Sequence, residues 1–254
     1  MVTTASTGSP IRVIELAGLP GTGKSTVARC LESILRDSGM PIRSRPTVLA
    51  DQSAFVRRQQ ARLHLIMRNA TRCGRLYRRA FGLIAGSGQR SVVDFAVVVS
   101  NFWSIIALMT EGQAASDYLT IADQGLLQAI WSVQLSSSKE LPLDAWMPVL
   151  LAAGLRDSLL VHVQADIAVS RHRVSARPCG RTRLGLGSSQ DRSRQWQVGA
   201  ENMERLIAWA RTTVPHDQHG GRVLSVVNRE GAPEAAATEI ASAYFSRTAL
   251  RACA

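Results

Sequence analysis

The chain has 254 residues, four cysteines and a formal charge of +11, with a sequence pI near 10.8. That length suits one large α/β unit with a buried core. No uninterrupted run of 18 apolar residues reads as a membrane span, and Cys30, Cys73, Cys179 and Cys253 have neither metal-ligand spacing nor a disulfide framework.

Met1–Pro10 is small and polar, lacks the basic and apolar regions of a signal peptide, and is expected to fray as an N-terminal arm. With free thiols, the expectation is a reducing, cytoplasmic setting. Ile11–Ala17 reads as a strand, interrupted by Arg12 and Glu15, and Lys24–Arg36 as a helix ended by Ser38-Gly39. A second strand is centred on Thr47-Val48-Leu49 and ends at Asp51. Ala54–Ile84 is a basic helical stretch with a break near Cys73-Gly74, followed by a turn at Gly86-Ser87-Gly88. Val92–Thr110 reads as a buried helix, although its valines also allow a strand at the start.

Tyr118–Ala122 is a strand closing on Asp123; Leu126–Leu135 and Leu143–Ala153 are helices. Leu159–Val163 is the next strand and Ile167–Ala176 the next helix. Arg177–Arg194 is rich in glycine, serine and arginine and reads as a lid. Gln195–Arg211 is a helix, Arg222–Val227 the last strand and Pro233–Leu250 the last helix. Strands alternating with helices predict a parallel sheet covered on both faces. No linker divides residues 11–254, so a single domain with a lid at 177–194 is expected.

The run Gly18-Leu19-Pro20-Gly21-Thr22-Gly23-Lys24-Ser25-Thr26 fits G-x-x-x-x-G-K-[ST] without a mismatch. Strand, glycine loop and helix follow one another as a phosphate-binding loop requires. Its amides and helix N-terminus favour phosphate oxygens. Lys24 is expected to reach the β- and γ-phosphates of ATP, and the Ser25 hydroxyl to ligate Mg²⁺.

Such a loop works with an acid. Asp123 and Asp51 both end strands, where an open α/β sheet binds its ligands. Asp123 is a candidate to order Mg²⁺ or orient the nucleophile, and Asp51 to take the proton of an attacking hydroxyl; either could instead cap a helix. Gln124, which follows Asp123, is no base, and this favours transfer to an acceptor over hydrolysis. Arg171, Arg173 and Arg177 read as one helix with Arg181 and Arg183 beyond it, a set able to close over developing phosphoryl charge or to form a solvated basic loop.

These features resemble the P-loop kinase superfamily of nucleotide, nucleoside and small-molecule kinases. The sharpest parts are Gly18–Thr26, Asp123 and the run Ala168–Arg173 leading to Arg177 and Arg181, which is similar to the segment before the lid of thymidylate-kinase-like enzymes. The resemblance implies a three-layer α/β/α fold with strand order 2-3-1-4-5 and an arginine-rich lid. It also implies that these arginines contact ATP phosphates and the adenine ring, and that Asn228-Arg229-Glu230-Gly231 lies near the adenine. Two positions depart from the thymidylate-kinase pattern: Gln124 stands where that family has arginine, and Pro20 where its loop has aspartate.

No acid occurs between Asp51 and Asp94, whereas Arg57, Arg58, Arg62, Arg68, Arg72, Arg75, Arg78 and Arg79 do. Arg68, Arg72, Arg75 and Arg79 share one helical face. This region could clamp an acidic acceptor, through Arg57, Arg58 and Arg72 above all. It could also follow a nucleic-acid backbone or simply be solvated. Among the tryptophans, Trp103 is a candidate wall of an acceptor pocket. The leading expectation is an ATP-dependent phosphotransferase acting on a small acceptor. A nucleic-acid-directed kinase or binder and a nucleotide-switched interaction protein are the alternatives.

Overall fold

The computed structural model describes residues 11–44, 55–115, 117–176, 184, 189–214 and 222–252. In chain order they form β1 (Val13–Ala17), α1 (Lys24–Asp37), β2 (Ile42–Ser44), α2 (Phe55–Arg68), α3 (Ala70–Gly86) and α4 (Val92–Ala114). Then come β3 (Leu119–Ala122), α5 (Leu126–Ser136), a 3₁₀ turn at Leu143–Trp146, α6 (Met147–Ala152) and a second 3₁₀ turn at Leu155–Asp157. The rest is β4 (Ser158–Gln164), α7 (Ile167–Ser175), α8 (Ser189–Thr213), β5 (Val223–Val227) and α9 (Pro233–Ala252).

The strands form one sheet in the order β2-β3-β1-β4-β5, and every pairing is parallel. This is the expected order. Alternation along β1 divides the core: Ile14 and Leu16 face α1 and α9, whereas Val13 and Ala17 face the layer containing α4, α5 and α8. Glu15 belongs by alternation to the second face and is fully buried.

α1 starts at Gly23 and buries Val27, Ala28, Leu31 and Leu35, one helical stripe. It stops where expected: Ser38 is the C-cap, and Gly39 follows with φ +81°. α4 is a helix from its first valine because Ser91 accepts a hydrogen bond from the Asp94 amide at 3.0 Å and donates its own hydroxyl to the Asp94 carboxylate. The cap removes the strand alternative. By length and composition, the 23-residue α4, with mean hydropathy 2.0, could cross a membrane. In this fold its later turns are core, with Phe102, Ile105, Ile106 and Met109 buried, whereas Val92, Val93 and Val97 at its start are exposed.

Four boundaries differ from expectation. The basic stretch breaks at Asn69, not at Cys73-Gly74. Asn69 Nδ2 donates to Leu65 O at 2.9 Å and to Glu111 Oε1 at 2.6 Å, a side-chain bond that diverts the chain, while Cys73 packs inside α3. Arg68 therefore ends α2 and does not share a helix with Arg72, Arg75 and Arg79. The second strand is Ile42–Ser44, which pairs with Leu119–Ile121; Thr47–Leu49 lie outside the described residues. The helix expected at Gln195 begins at Ser189, so the last part of the expected lid is helical. The helix expected from Leu143 opens as a 3₁₀ turn before α6.

Candidate functional site

The loop between β1 and α1 is shaped by close approach. Gly21 has φ +85°, and a Cβ there would lie 2.2 Å from Ser170 O on α7. Gly23 has φ +86°, and its Cβ would meet the Asn228 side-chain nitrogen at 2.2 Å. Neither position admits a larger residue, and both conformations are ones that glycine reaches without strain. Thr22 is buried and its Oγ1 donates to Leu19 O at 3.0 Å. Asn228, just past β5, donates from Nδ2 to Thr22 O at 2.7 Å. Lys24 Nζ curls back to Gly18 O and Leu19 O, both at 2.8 Å, a position over the mouth of its own loop.

The first residue of α1 able to coordinate a cation meets the expected acid. Ser25 Oγ donates to Asp123 Oδ2 at 2.9 Å, across 98 residues of sequence. A hydroxyl and a carboxylate side by side at a phosphate loop are hard oxygen donors. They fit Mg²⁺, which takes one or two protein oxygens and fills its octahedron with water and phosphate. Asp51, the second acid expected here, lies outside the described residues.

The arginines divide. Arg173 Nη1 reaches Gly21 O at 3.5 Å, the outer limit of a hydrogen bond, and stands beside the loop. Arg171 was expected to act with it, but its Nη2 donates to Ser193 Oγ on α8 at 3.3 Å. Two residues of helix turn a side chain through about 200°, and in this structure the two arginines meet different neighbours. Arg177, Arg181 and Arg183 lie outside the described residues. Arg57 and Arg58 fall in the first turn of α2, where only the backbone is described. Arg72 is exposed on α3, on the side away from buried Cys73, Tyr77 and Ala80.

Among the described residues, two clefts border Gly21, Gly23 and Thr26 of the loop. One, of about 290 Å³, is lined by Gly23, Thr26, Arg173, Asn228, Arg229 and Gly231. It contains the post-β5 residues expected near a nucleobase. The other, of about 260 Å³, is lined by Lys24, Ser25, Gln124, Gln128, Trp131 and Ser132. Gln128, Trp131 and Ser132 were missed by sequence reasoning, because α5 looked like a plain apolar helix. Trp103, the expected wall, instead stacks on Tyr77 with ring centroids 5.2 Å apart and donates Nε1–H to Tyr77 O. The tryptophan at the loop is Trp131, fixed by a 2.7 Å bond from Nε1 to Gly199 O.

A parallel β2-β3-β1-β4-β5 sheet with a glycine phosphate loop between β1 and α1 is the architecture of the P-loop kinases, and the chain has that fold. No family model and no curated protein matches its sequence. Among solved structures it is similar to deoxyadenosine kinase from M. mycoides with products dCMP and a flexible dCDP bound: 12% identity, 92% of this chain, 99% of that chain, TM-score 0.49. For the same kinase with bound dATP the values are 14%, 91%, 99% and 0.47.

Proposed function

We propose that this protein is an ATP-dependent kinase that moves the γ-phosphoryl group to a small acceptor bearing a hydroxyl or phosphate group, such as a nucleoside, a nucleotide or another metabolite. The observation that carries this reading is the Ser25–Asp123 contact of 2.9 Å beside a glycine loop that already holds Lys24.

In this reading the loop amides and the α1 N-terminus bind the phosphate chain. Lys24 exchanges its two carbonyl bonds for phosphate oxygens and sets the terminal group in place. Ser25 and Asp123 would hold Mg²⁺, which when bound neutralises charge on the phosphate oxygens. Arg173 and Asn228 border the cleft assigned to the base. The cleft on the α5 side, with the uncharged polar groups of Gln124, Gln128 and Ser132 beside Trp131, is assigned to the acceptor. Those groups suit hydroxyls and amides better than a second phosphate. Asp123 stands where it could orient the acceptor hydroxyl, and Asp51 remains the alternative base by its place in the sequence.

The test is incubation with labelled ATP and a panel of nucleosides, nucleotides and hydroxylated metabolites. One acceptor should gain label at a rate that Lys24→Ala abolishes. Unlabelled acceptors throughout the panel, or full turnover by Lys24→Ala, would overturn the assignment.

A second reading has its own observation. Arg72, Arg75, Arg78 and Arg79 are all exposed on α3, a surface suited to a nucleic-acid backbone. Gel shift across a salt series should then give affinity falling steeply with salt, and no shift removes the idea.

A further inference from the structure

We propose that Glu15 and Gln128 form a buried brace that holds the phosphate loop from beneath, which makes Glu15 a positioning residue for the site described above. Glu15 sits in the middle of β1, fully buried, where a carboxylate needs a reason. That reason is the start of α5. The helix begins at Gly125, which has no side chain to cap it. Glu15 supplies the cap from another element: its Oε1 accepts from Leu127 N at 2.6 Å, with the amides of Leu126 and Gln128 beside it. A carboxylate at a helix N-terminus satisfies orphan amides and meets the positive end of the helix dipole.

Gly125 is the other half of this arrangement. A Cβ there would lie 2.2 Å from Glu15 Cδ. The small residue after Asp123-Gln124 is thus required by a carboxylate 110 residues earlier in the chain.

The brace then returns to the loop. From the first turn of the capped helix, Gln128 Oε1 accepts from Gly18 N at 3.1 Å. Gly18 opens the phosphate loop, and its carbonyl is one of the two that hold Lys24. Glu15 thereby sets α5, α5 sets Gln128, and Gln128 sets the loop. The same helix carries Trp131 and Ser132 and follows directly on Asp123, so one buried carboxylate aligns both walls of the cleft.

This inference presumes that the loop binds nucleotide, but the geometry can be tested without it. The experiment compares wild type, Glu15→Ala, Glu15→Gln and Gln128→Ala by hydrogen exchange of the loop amides in protein free of nucleotide, and by KM for ATP. Loss of one buried hydrogen bond should speed loop exchange and raise the ATP KM about tenfold in Glu15→Ala and Gln128→Ala; in Glu15→Ala, which lies outside the acceptor cleft, kcat should change far less. Glu15→Gln should recover most of the loss, because an amide oxygen still accepts from Leu127 N. If Glu15→Ala does not fold, Gln128→Ala decides alone, since it leaves the helix cap in place. Wild-type loop exchange and ATP KM in a folded Gln128→Ala protein would overturn the brace. Failure of the wild type to bind ATP would overturn the kinase reading instead, and the exchange measurement would still judge the brace.

Discussion

Ser25 Oγ and Asp123 Oδ2 stand 2.9 Å apart, the first turn of α1 against the C-terminal end of β3. A helix start and a strand end meet here because β1 and β3 are paired neighbours in the sheet. The carboxylate is thereby held against the Ser25 hydroxyl, the pair proposed above to hold Mg²⁺. Asp123→Asn keeps the shape and removes the charge. Turnover should fall about 100- to 1,000-fold, with melting temperature nearly unchanged, in parallel rate and melting assays.

Lys24→Ala removes the ammonium that bridges Gly18 O and Leu19 O. Phosphoryl transfer should fall by about 100-fold or more. Circular dichroism should report an intact fold, since α1 keeps its apolar stripe of Val27, Leu31 and Leu35.

Gly21→Ala tests the loop conformation. With φ +85° and Ser170 O 2.2 Å from the new methyl group, the strain is about 1–3 kcal/mol and the clash with α7 adds to it. Calorimetry should show lost nucleotide binding and a lower melting temperature together.

Glu111 is a knot on the side of α4. Its carboxylate takes Arg43 at 3.0 Å, Arg68 at 2.5 Å and Asn69 at 2.6 Å. Burial pushes this carboxyl up, but Asn69, Arg68 and Arg43 outweigh it and hold its pKa below the usual range. The stabilisation is therefore present above the ordinary glutamate pKa and lost as pH falls through the lowered value. Glu111→Ala leaves Arg43 with the Tyr118 hydroxyl and Asn69 with Leu65 O as remaining partners, and should cost about 1–2 kcal/mol in urea denaturation at pH 7.

Glu15 gives the opposite pH dependence. Burial pushes its carboxyl up from 4.5 to about 7, against the lowering effect of three α5 amides. Between those values the folded chain keeps a proton that the unfolded chain has released. Stability therefore falls as pH rises through that window, by up to about 3 kcal/mol, and levels off above it. Glu15→Gln should abolish this slope, so wild type minus variant, measured by denaturation from pH 4.5 to 8, isolates it. A flat difference would refute it.

The two arginines of α7 show where sequence reasoning loses its grip. The run Ser170–Arg173 was legible as a helix, yet Arg173 faces the loop and Arg171 faces α8, because helix phase relative to a distant partner is not written in local spacing. The break at Asn69 depends on Glu111, 42 residues away. Glu15 looked like an interruption of a strand because the amides that require it lie 112 residues further on.

By itself the order of amino acids determined the glycine loop, the parallel sheet with its helices, the strand-end Asp123 and the stop of α1 at Gly39. Each of these follows from backbone sterics and apolar periodicity within a few residues. Only the folded chain decided which polar groups meet: Ser25 with Asp123, Asn228 with Thr22, Gln128 with Gly18. Such contacts depend on how whole helices and strands pack, and a hydrogen bond forms only where packing brings donor and acceptor within about 3 Å.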